Sequence, residues 1–420
     1  MHWLNQEILT KKLIVSLILG LNSGLSYALI GSTFTAYLHD YNVDLALIGL
    51  LSIRTIPYSF KYIWAPFIDN TSFSFFPKNF GQRKTWIITT QLLLIISILG
   101  ISSLNPISNF KSVCVITFII AFLAATYDIA MEAYRIELFE KDDLNRGSLA
   151  NMLGFRIGLI ASGAGGLYLS YFLGWSWVFV ITAILIIPCM LMILSSKDER
   201  ILEKTYKINN IKIWFEEYFI KPFMALFRVP NFYLIALTIA SYKLSDNYLD
   251  TMLIPFLKEI GYSKTQIATI AKAIGIMASI FGTIIGSFLN VSGNMVRTLF
   301  IAEIFSSISN LLFINLLYSA NNIYLLTFIV VVENLISGIC NIVLINYMSL
   351  LCDKKFTATH YAILLSISGI FRTLLSSSSG WVATHYGWVD FFLISSVLSI
   401  PSLFFLYFLG KKLKFSGSQA

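Results

Sequence analysis

Long apolar stretches alternate with short polar segments along almost the whole chain. A helix that crosses a bilayer needs roughly 20 mostly apolar residues. Strict two-residue alternation over many segments is absent, which argues against a transmembrane β-barrel. We therefore predict an all-α membrane protein with twelve transmembrane helices. The predicted helices lie at about residues 13–37, 46–68, 85–104, 112–137, 147–170, 175–194, 230–255, 266–289, 297–318, 322–351, 358–384 and 388–409.

Composition supports this class and excludes several others. Of the 420 residues, 57% are hydrophobic and 12% are charged, and the mean hydropathy is +0.75. A soluble domain has about 45–50% apolar and about 25% charged residues, so a soluble enzyme, a fibre and a disordered chain are excluded. No nucleotide-binding loop is present, which argues against an ATP-driven pump. The four cysteines form no CxxC pair, so we expect free thiols, no metal and no cofactor.

Basic residues predict the orientation of the helices, because cytoplasmic loops of membrane proteins are enriched in Lys and Arg. If the N-terminus is cytoplasmic, 20 basic residues fall on cytoplasmic segments and three on outer loops. Both termini are therefore predicted to be cytoplasmic. The same distribution explains the net charge of +8 without a nucleic-acid partner.

The longest hydrophilic segment, residues 195–228, divides the chain nearly in half. Its second part, Ile213–Phe227, mixes aromatic and charged residues in a way typical of an amphipathic helix at a membrane surface. A flexible tether is the alternative interpretation. We predict an N-terminal six-helix bundle over residues 1–194 and a C-terminal six-helix bundle over residues 229–420.

A weak internal repeat relates the two halves at an offset of 213 residues. The matched pairs at this offset are Ile129 with Ile342, Tyr134 with Tyr347, Leu138 with Leu351, and Lys141 with Lys354. Transporters built from parallel repeats bind substrate near the bilayer midplane, between the halves. The repeat therefore predicts a substrate site of that kind.

Thirteen charged residues lie within the predicted spans, where charge is costly and marks pathways, proton relays or ion pairs. The near-balance of signs suggests pairing in the interior. Lys272 and Glu303 lie nearer to span ends, and we expect both to extend toward the interface. The bases are Arg54, Lys61, Arg135, Arg156, Lys243, Lys272 and Arg372, and the acids are Asp128, Glu132, Asp246, Asp250, Glu303 and Glu333.

The fourth predicted helix carries three of these charges on one face. Asp128, Glu132 and Arg135 are spaced i, i+4 and i+7, and we expect them to face Arg156 on the next helix. A buried carboxyl that takes up and releases a proton would couple transport to a proton gradient. We predict Asp128 or Glu132 as the proton carrier, with a static ion pair to Arg156 as the alternative.

The second predicted helix has features suited to an anionic, sugar-containing ligand. Arg54 and Lys61 lie seven residues apart on one face and would attract an anion. Tyr58 and Trp64 offer ring faces for sugars, although aromatic side chains also serve as packing or interfacial anchors.

In the C-terminal half, Lys243 and Asp246 are spaced to pair on one helix, which would leave Asp250 free or in a solvated vestibule. Asn341 occupies the repeat position of Asp128, and an amide can hydrogen-bond sugars. Arg372 could clamp a carboxylate through two hydrogen bonds. The predicted ligand-binding residues of this half are Lys243, Asp246, Glu333, Asn334, Asn341 and Arg372.

The segment between the second and third predicted helices resembles a motif of the major facilitator superfamily. It runs from Asp69 to the sequence GQRK at residues 81–84, with a longer insertion at residues 70–80 than is usual. In that family the Asp and Arg bridge cytoplasmic helix ends and latch one conformation. The resemblance implies this gating role for Asp69 and Arg83.

A narrower resemblance covers nearly the whole chain. The sequences ATYDIAMEAYRIELF at 125–139, LGFRIG at 153–158, PYSFKYIWAP at 57–66, YKLSD at 242–246, ENL at 333–335 and HYGW at 385–388 are similar to the muropeptide permease family (AmpG type). One departure is Glu132, which stands where that family more often has Asp. The carboxyl is kept, but its reach changes.

This resemblance implies a major-facilitator fold and a non-enzymatic function. The implied function is import of N-acetylglucosaminyl-anhydromuramyl peptides with protons, by alternating access, across a bacterial inner membrane. The implied partners are the muropeptide, protons and the lipid bilayer, with a monomeric chain. Two alternatives remain: a symporter for another anionic or sugar-linked solute, and a membrane sensor that transports nothing.

Overall fold

The structure is a computed structural model, and it describes residues 2–43, 47, 54, 56–73, 76–77, 80–196, 212, 215–289, 295–319 and 321–416. These residues are helical nearly throughout, as the apolar pattern predicts. Half of the predicted connecting segment at 195–228, and most of residues 46–55 in the predicted helix at 46–68, lie outside the described residues.

Contacts between residues divide the chain into two compact units. The first comprises Met1–Met224 together with Cys352–Ser366, and the second comprises Ala225–Leu351 together with Ile367–Ala420. A segment late in the sequence is thus grouped with the N-terminal unit. The division into six-helix bundles over residues 1–194 and 229–420 stays a prediction.

The helices before the middle of the chain are labelled α1 to α7, and several consist of consecutive pieces. They are α1 (His2–Ala28, a π-helical turn Leu29–Thr33, and Phe34–Asp40), α2 (Ile56–Phe60, Lys61–Ile63 and Ala65–Asn70), α3 (Gln82–Ser102), α4 (Phe110–Leu138), α5 (Leu144–Ser162 and Ala164–Leu173), α6 (Trp175–Ser195) and α7 (Glu216–Ile220 and Lys221–Phe227).

The remaining helices are labelled α8 to α14. They are α8 (Phe232–Ser241 and Leu244–Glu259), α9 (Lys264–Gln266, a π-helical stretch Ile267–Ile274, and Gly275–Leu289), α10 (Met295–Leu311 and Ile314–Tyr318), α11 (Ile323–Leu350), α12 (Thr357–Ser376), α13 (Ser379–Val397) and α14 (Ile400–Ser416).

Ten helices in the described residues are long and apolar enough to cross a membrane, or eleven if α7 and α8 are counted as one bent span. Two of the twelve predicted helices are missing from these ten. Of the second, at 46–68, most residues before Ile56 lie outside the described part of the chain. The seventh, at 230–255, corresponds to α8, which is counted only when it is joined with α7 as a bent span. The chain is therefore a multi-pass, all-α membrane protein.

A glycine in the same backbone conformation occurs in each half, directly before α6 in the first and within α13 in the second. Gly174 has φ 83° and ψ 164°, and Gly387 has φ 79° and ψ 173°. This backbone region is essentially restricted to glycine. The two glycines are 213 residues apart, and each is followed by a tryptophan, Trp175 or Trp388. The repeat detected at this offset in the sequence thus recurs in the backbone.

Glycines allow pairs of helices to pack with their backbones in contact. In the first unit, a Cβ atom on Gly24 of α1 would lie 2.1 Å from the Phe155 carbonyl oxygen of α5. In the second unit, a Cβ atom on Gly338 of α11 would lie 2.2 Å from the Ser279 carbonyl oxygen of α9. Small residues at such crossings are typical of membrane helix pairs.

Aromatic side chains form part of the core of each unit. In the first unit, the Tyr37 ring packs edge-on against Trp175 and Phe179, with ring centroids 5.6 and 5.1 Å away. In the second unit, Phe256 packs edge-on against Phe392 at 4.8 Å. These contacts hold α1 against α6 and α8 against α13.

Candidate functional site

The carboxylates of α4 have partners within the first unit. The Arg135 guanidinium donates from Nε and Nη2 to Glu132 Oε2 at 2.9 and 2.7 Å, and from Nη1 to the Ser148 hydroxyl at 2.6 Å. Arg135 is fully buried, and its guanidinium carbon lies 5.9 Å from the centre of the Tyr361 ring. Glu132 therefore pairs with an arginine on its own helix, and Arg156 is not that partner.

Asp128 lies in a different environment from Glu132. Its carboxylate accepts a hydrogen bond of 2.6 Å from the Ser23 hydroxyl of α1. Among the described residues, neither Asp128 nor the buried Lys61 belongs to an ion pair within 4 Å. Arg156 lies half-buried on α5. Of the two predicted proton carriers, Asp128 is the one whose charge is not neutralised by a bound arginine.

Arg54 binds the backbone of α1 at its π-helical turn. Its Nε donates to the Ile30 carbonyl at 2.7 Å, and its Nη2 donates to the Thr35 hydroxyl at 2.8 Å. A π-turn interrupts the regular i→i−4 hydrogen-bond pattern, and Arg54 supplies donors there. The structure thus places this predicted ligand-binding cation in a helix-packing contact.

The two predicted aromatic residues of α2 differ in their surroundings. Trp64 donates from Nε1 to the Thr126 hydroxyl at 3.1 Å and packs against Phe122 of α4. The Tyr58 ring stands edge-on to Tyr27 at 5.6 Å, and its hydroxyl has no hydrogen-bond partner in the described part of the chain. Tyr27, which is half exposed, was not identified from the sequence, because a tyrosine in an apolar span carries no distinctive pattern.

Asp69 and Arg83, the two residues of the predicted latch, form a buried ion pair. Arg83 Nη2 donates to Asp69 Oδ1 at 2.6 Å and to Glu137 Oε1 at 2.8 Å. Asp69 also accepts from the backbone N–H groups of Ala358 and Thr359, at 3.1 and 2.8 Å. A carboxylate at a helix N-terminus binds free N–H groups and is favoured by the helix dipole.

Glu137 is a member of this cluster that the sequence did not identify. It lies at the end of α4, within the stretch at 125–139 that resembles the muropeptide permease family, so an acid at a helix end in that stretch was the available signal. Cys352 precedes α12 near the same cluster, and burial raises the pKa of its thiol. Burial thus favours the protonated thiol, which is a weaker nucleophile than the thiolate.

His360 connects the start of α12 to α7. Its Nδ1 accepts from the Asp353 backbone N–H at 3.1 Å, and its Nε2 lies 3.0 Å from the Pro222 carbonyl oxygen. A carbonyl only accepts, so Nε2 carries the hydrogen and the ring is neutral. α7 is helical over most of the predicted amphipathic segment, and this contact ties it to the first unit.

In the second unit, α8 is interrupted at Lys243, which has left-handed backbone angles of φ 62° and ψ 16°. Such a conformation costs a non-glycine residue of order 1–3 kcal/mol and persists where the surroundings impose it. Lys243 Nζ donates to Ser337 Oγ at 2.8 Å and to Asn341 Oδ1 at 3.0 Å, and it lies 3.4 Å from Asp246 Oδ2. The predicted Lys243–Asp246 pair is therefore present.

Glu303 does not extend toward the interface as expected. Its side chain is fully buried, and Oε1 accepts from the Lys243 backbone N–H at 3.3 Å and from Ser402 Oγ at 2.8 Å. The expectation was wrong because helix position alone does not show that α8 and α14 cover this side chain. Lys272, which was also expected to extend toward the interface, is exposed.

The other predicted residues of the second unit fall into two groups. Glu333 is buried, and its Oε2 accepts from the adjacent Asn334 Nδ2 at 2.6 Å. Arg372 and Asp250 are exposed. Buried amides and acids thus coexist with exposed charged groups in this unit.

Comparisons with known sequences identify the family. The model of the Major Facilitator Superfamily matches residues 16–301. A Rickettsia felis protein named as a candidate transporter, AmpG 4, is 31% identical over 397 residues, which are 94% of this chain and 95% of that protein. The anhydromuropeptide permease of Escherichia coli strain K12 is 30% identical over 394 residues, which are 93% of this chain and 78% of the permease.

Solved structures show the same fold at lower identity. FucP, a transporter solved in the outward conformation, has a TM-score of 0.73 at 15% identity, covering 95% of this chain and 98% of FucP. The proton:xylose symporter XylE has a TM-score of 0.68 at 12% identity, covering 95% of this chain and 94% of XylE.

Proposed function

This chain belongs to the major facilitator superfamily, and from that premise we propose that it imports anhydromuropeptides together with protons, by alternating access. The observation that carries the substrate proposal is 30% identity to an anhydromuropeptide permease over 93% of this chain. The proposed substrates are N-acetylglucosaminyl-anhydromuramyl peptides, and the proposed location is a bacterial inner membrane with both termini cytoplasmic.

The chemistry of each unit suits such a substrate. A peptidyl disaccharide carries carboxylates, hydroxyls and apolar ring faces. In the first unit, Lys61 supplies a cation, and Tyr27 and Tyr58 supply neighbouring rings. In the second unit, Arg372 and Asn341 supply a cation and an amide. Arg54, which lies just before α2, is held in a contact with α1, and Trp64 of α2 is held in a contact with α4.

Asp128 is the proposed proton carrier of the first unit. Its carboxylate accepts a hydrogen bond from Ser23 and has no counter-ion within 4 Å among the described residues. The carboxylate of Glu132, in contrast, forms an ion pair with Arg135. A proton carrier must be stable both with and without its proton. Protonation of a carboxylate that pairs with a buried arginine would leave that arginine without its counter-ion, which is unfavourable.

Asp69 and Arg83 are proposed to gate transport through the first turn of α12. The Asp69 carboxylate holds two backbone N–H groups of that turn and is itself held by Arg83. Loss of the carboxylate charge would release the helix end. Glu137 joins this proposed latch because it shares Arg83 with Asp69.

The proposed function is tested by uptake of labelled anhydromuropeptide into proteoliposomes that contain the purified protein. An inward proton gradient should drive accumulation, and a protonophore should abolish it. Uptake that resists the protonophore would contradict proton coupling. No uptake by folded protein, or uptake of a different anionic or sugar-linked solute in its place, would contradict the substrate.

Asp128→Asn tests the proton carrier within this assay. It removes the titrating group but keeps the acceptor for Ser23, so we expect loss of gradient-driven accumulation with substrate counterflow retained. Glu217→Gln is the control, because the Glu217 carboxylate is exposed and pairs with Lys221 on the surface of α7. Gradient-driven uptake by Asp128→Asn at the wild-type rate would exclude Asp128.

A further inference from the structure

One face of α10 carries three buried polar side chains against the interruption in α8. Glu303, Ser306 and Asn310 follow each other at i, i+3 and i+7, so they share that face. Each is at most 1% exposed. The Ser306 hydroxyl donates to the Asp246 carboxylate, and Glu303 accepts from the Lys243 backbone N–H. The face is therefore in direct contact with α8 where its helix is broken.

The charges at this face do not balance. Asp246 and Glu303 are both acids. The Lys243 ammonium lies 3.4 Å from Asp246, whereas Glu303 is contacted by the backbone N–H of Lys243. When both acids are ionised, one negative charge remains in a region closed to solvent. An unpaired buried carboxylate is strongly disfavoured, and such a group becomes neutral instead. The arrangement therefore calls for one more positive charge.

The hydrogen bonds show where that charge is missing. Glu303 Oε1 has two donors, and Asp246 Oδ2 lies 3.4 Å from Lys243 Nζ, but Glu303 Oε2 has no hydrogen-bond partner in the part of the chain that the structure describes. Buried polar atoms are paired in the large majority of cases. An acceptor oxygen without a partner beside a surplus negative charge indicates that a positive charge is missing at Glu303 Oε2.

The neighbouring groups do not supply that charge. α8 contributes Lys243, Asp246 and the Tyr242 hydroxyl, and α11 contributes the Cys340 thiol. α14 contributes Ser402, whose hydroxyl already donates to Glu303 Oε1. Lys243 is the cation of this set, and its short hydrogen bonds go to Ser337 and Asn341 on α11.

We propose that Glu303 binds a proton at Oε2, so that the second unit has a proton site of its own in addition to Asp128. A proton there removes the surplus charge, needs no cavity, and turns Oε2 from an acceptor without a partner into a donor. Oε1 of the same carboxyl holds the Lys243 N–H, so the proton changes the charge on the group that holds the break in α8. A role of this proton in transport rests on the proposed function, whereas the binding of the proton to Glu303 does not.

Infrared difference spectroscopy of the purified protein during a pH titration tests the site without any substrate. The wild type should show the C=O band of a protonated buried carboxyl at neutral pH, and Glu303→Gln should lose that band. Glu217→Gln, which removes an exposed carboxylate, should keep it. Should Glu303→Gln fail to fold, Glu303→Asp retains a carboxyl and should shift the band.

Two results would overturn the proposal: a band that persists unchanged in both Glu303 variants, or a spectrum that responds to Na⁺ at constant pH instead of to protons. In proteoliposomes, Glu303→Gln should retain counterflow of labelled anhydromuropeptide and lose its acceleration by an inward proton gradient. If the wild type moves no anhydromuropeptide, the proposed function fails, while the infrared titration still decides whether Glu303 binds a proton.

Discussion

At the scale of single residues, the partner of a buried charge determines what that charge can do. Glu132 and Asp128 lie one helical turn apart on α4, yet Glu132 is held by Arg135 and Asp128 by a serine hydroxyl. Because removing one partner of a buried ion pair leaves an uncompensated charge, the Glu132–Arg135 pair has a structural role. A carboxylate held by a neutral hydroxyl remains able to accept a proton.

This difference predicts unequal effects on stability. Glu132→Ala leaves the fully buried Arg135 without its carboxylate, and breaking a buried pair in this way costs about 3–5 kcal/mol. We expect a clear drop in the midpoint of thermal unfolding in detergent. Glu7→Ala, which removes an exposed pair with Lys11, should cost about 1 kcal/mol or less. Similar midpoints for the two variants would contradict this interpretation.

At the scale of elements, interruptions of helices coincide with buried polar contacts. Arg54 binds α1 at its π-helical turn, and Glu303 binds the backbone of α8 at the left-handed Lys243. Close crossings between regular helical stretches, in contrast, depend on glycine. Gly24 lets α1 approach α5 until the backbones touch. Polar side chains thus stabilise irregular backbone inside the units, while small residues allow regular helices to pack closely.

The close crossing predicts that one added methyl group is harmful. In Gly24→Ala the new Cβ would lie 2.1 Å from the Phe155 carbonyl oxygen, so α1 and α5 must separate, at a cost of about 1–3 kcal/mol. Gly100→Ala on α3 is the matched control, because its nearest neighbour is the Ile116 side chain at 4.0 Å. Thermal unfolding should show a lower midpoint for Gly24→Ala and an equal or higher midpoint for Gly100→Ala. Equal losses in both would refute the argument.

At the scale of the whole molecule, the sequence repeat of 213 residues is visible in the structure. Gly174 and Gly387 adopt the same glycine-restricted backbone conformation, and each lies directly before a tryptophan. The charged chemistry does not follow the repeat. Asp128 binds a serine in the first unit, whereas Asn341, at the equivalent position, binds Lys243 in the second.

The distribution of basic residues predicts which loops face the cytoplasm. In a background without native cysteines, Lys111→Cys and Lys258→Cys should react with an impermeant maleimide added to intact cells, because both lie on predicted outer loops. Lys355→Cys should react after permeabilisation only. All three positions are exposed, so accessibility within the protein does not limit labelling. Labelling of Lys355→Cys in intact cells would reverse the predicted orientation.

The sequence by itself determined the class of protein, the positions of most helices, the repeat and the residues that carry charge inside the spans. These follow from local patterns, because the apolar length of a span and the chemical type of a side chain are both encoded within a few residues. The family resemblance was also contained in local motifs.

Only the tertiary structure decided which charges meet. It assigned Glu132 to Arg135, Arg54 to the turn in α1, and Glu137 to the Asp69–Arg83 pair. It also showed that Glu303 is enclosed and bound to the interrupted backbone of α8. The physical reason is that helix periodicity defines which side chains share a face, whereas the partner of that face depends on how distant helices pack.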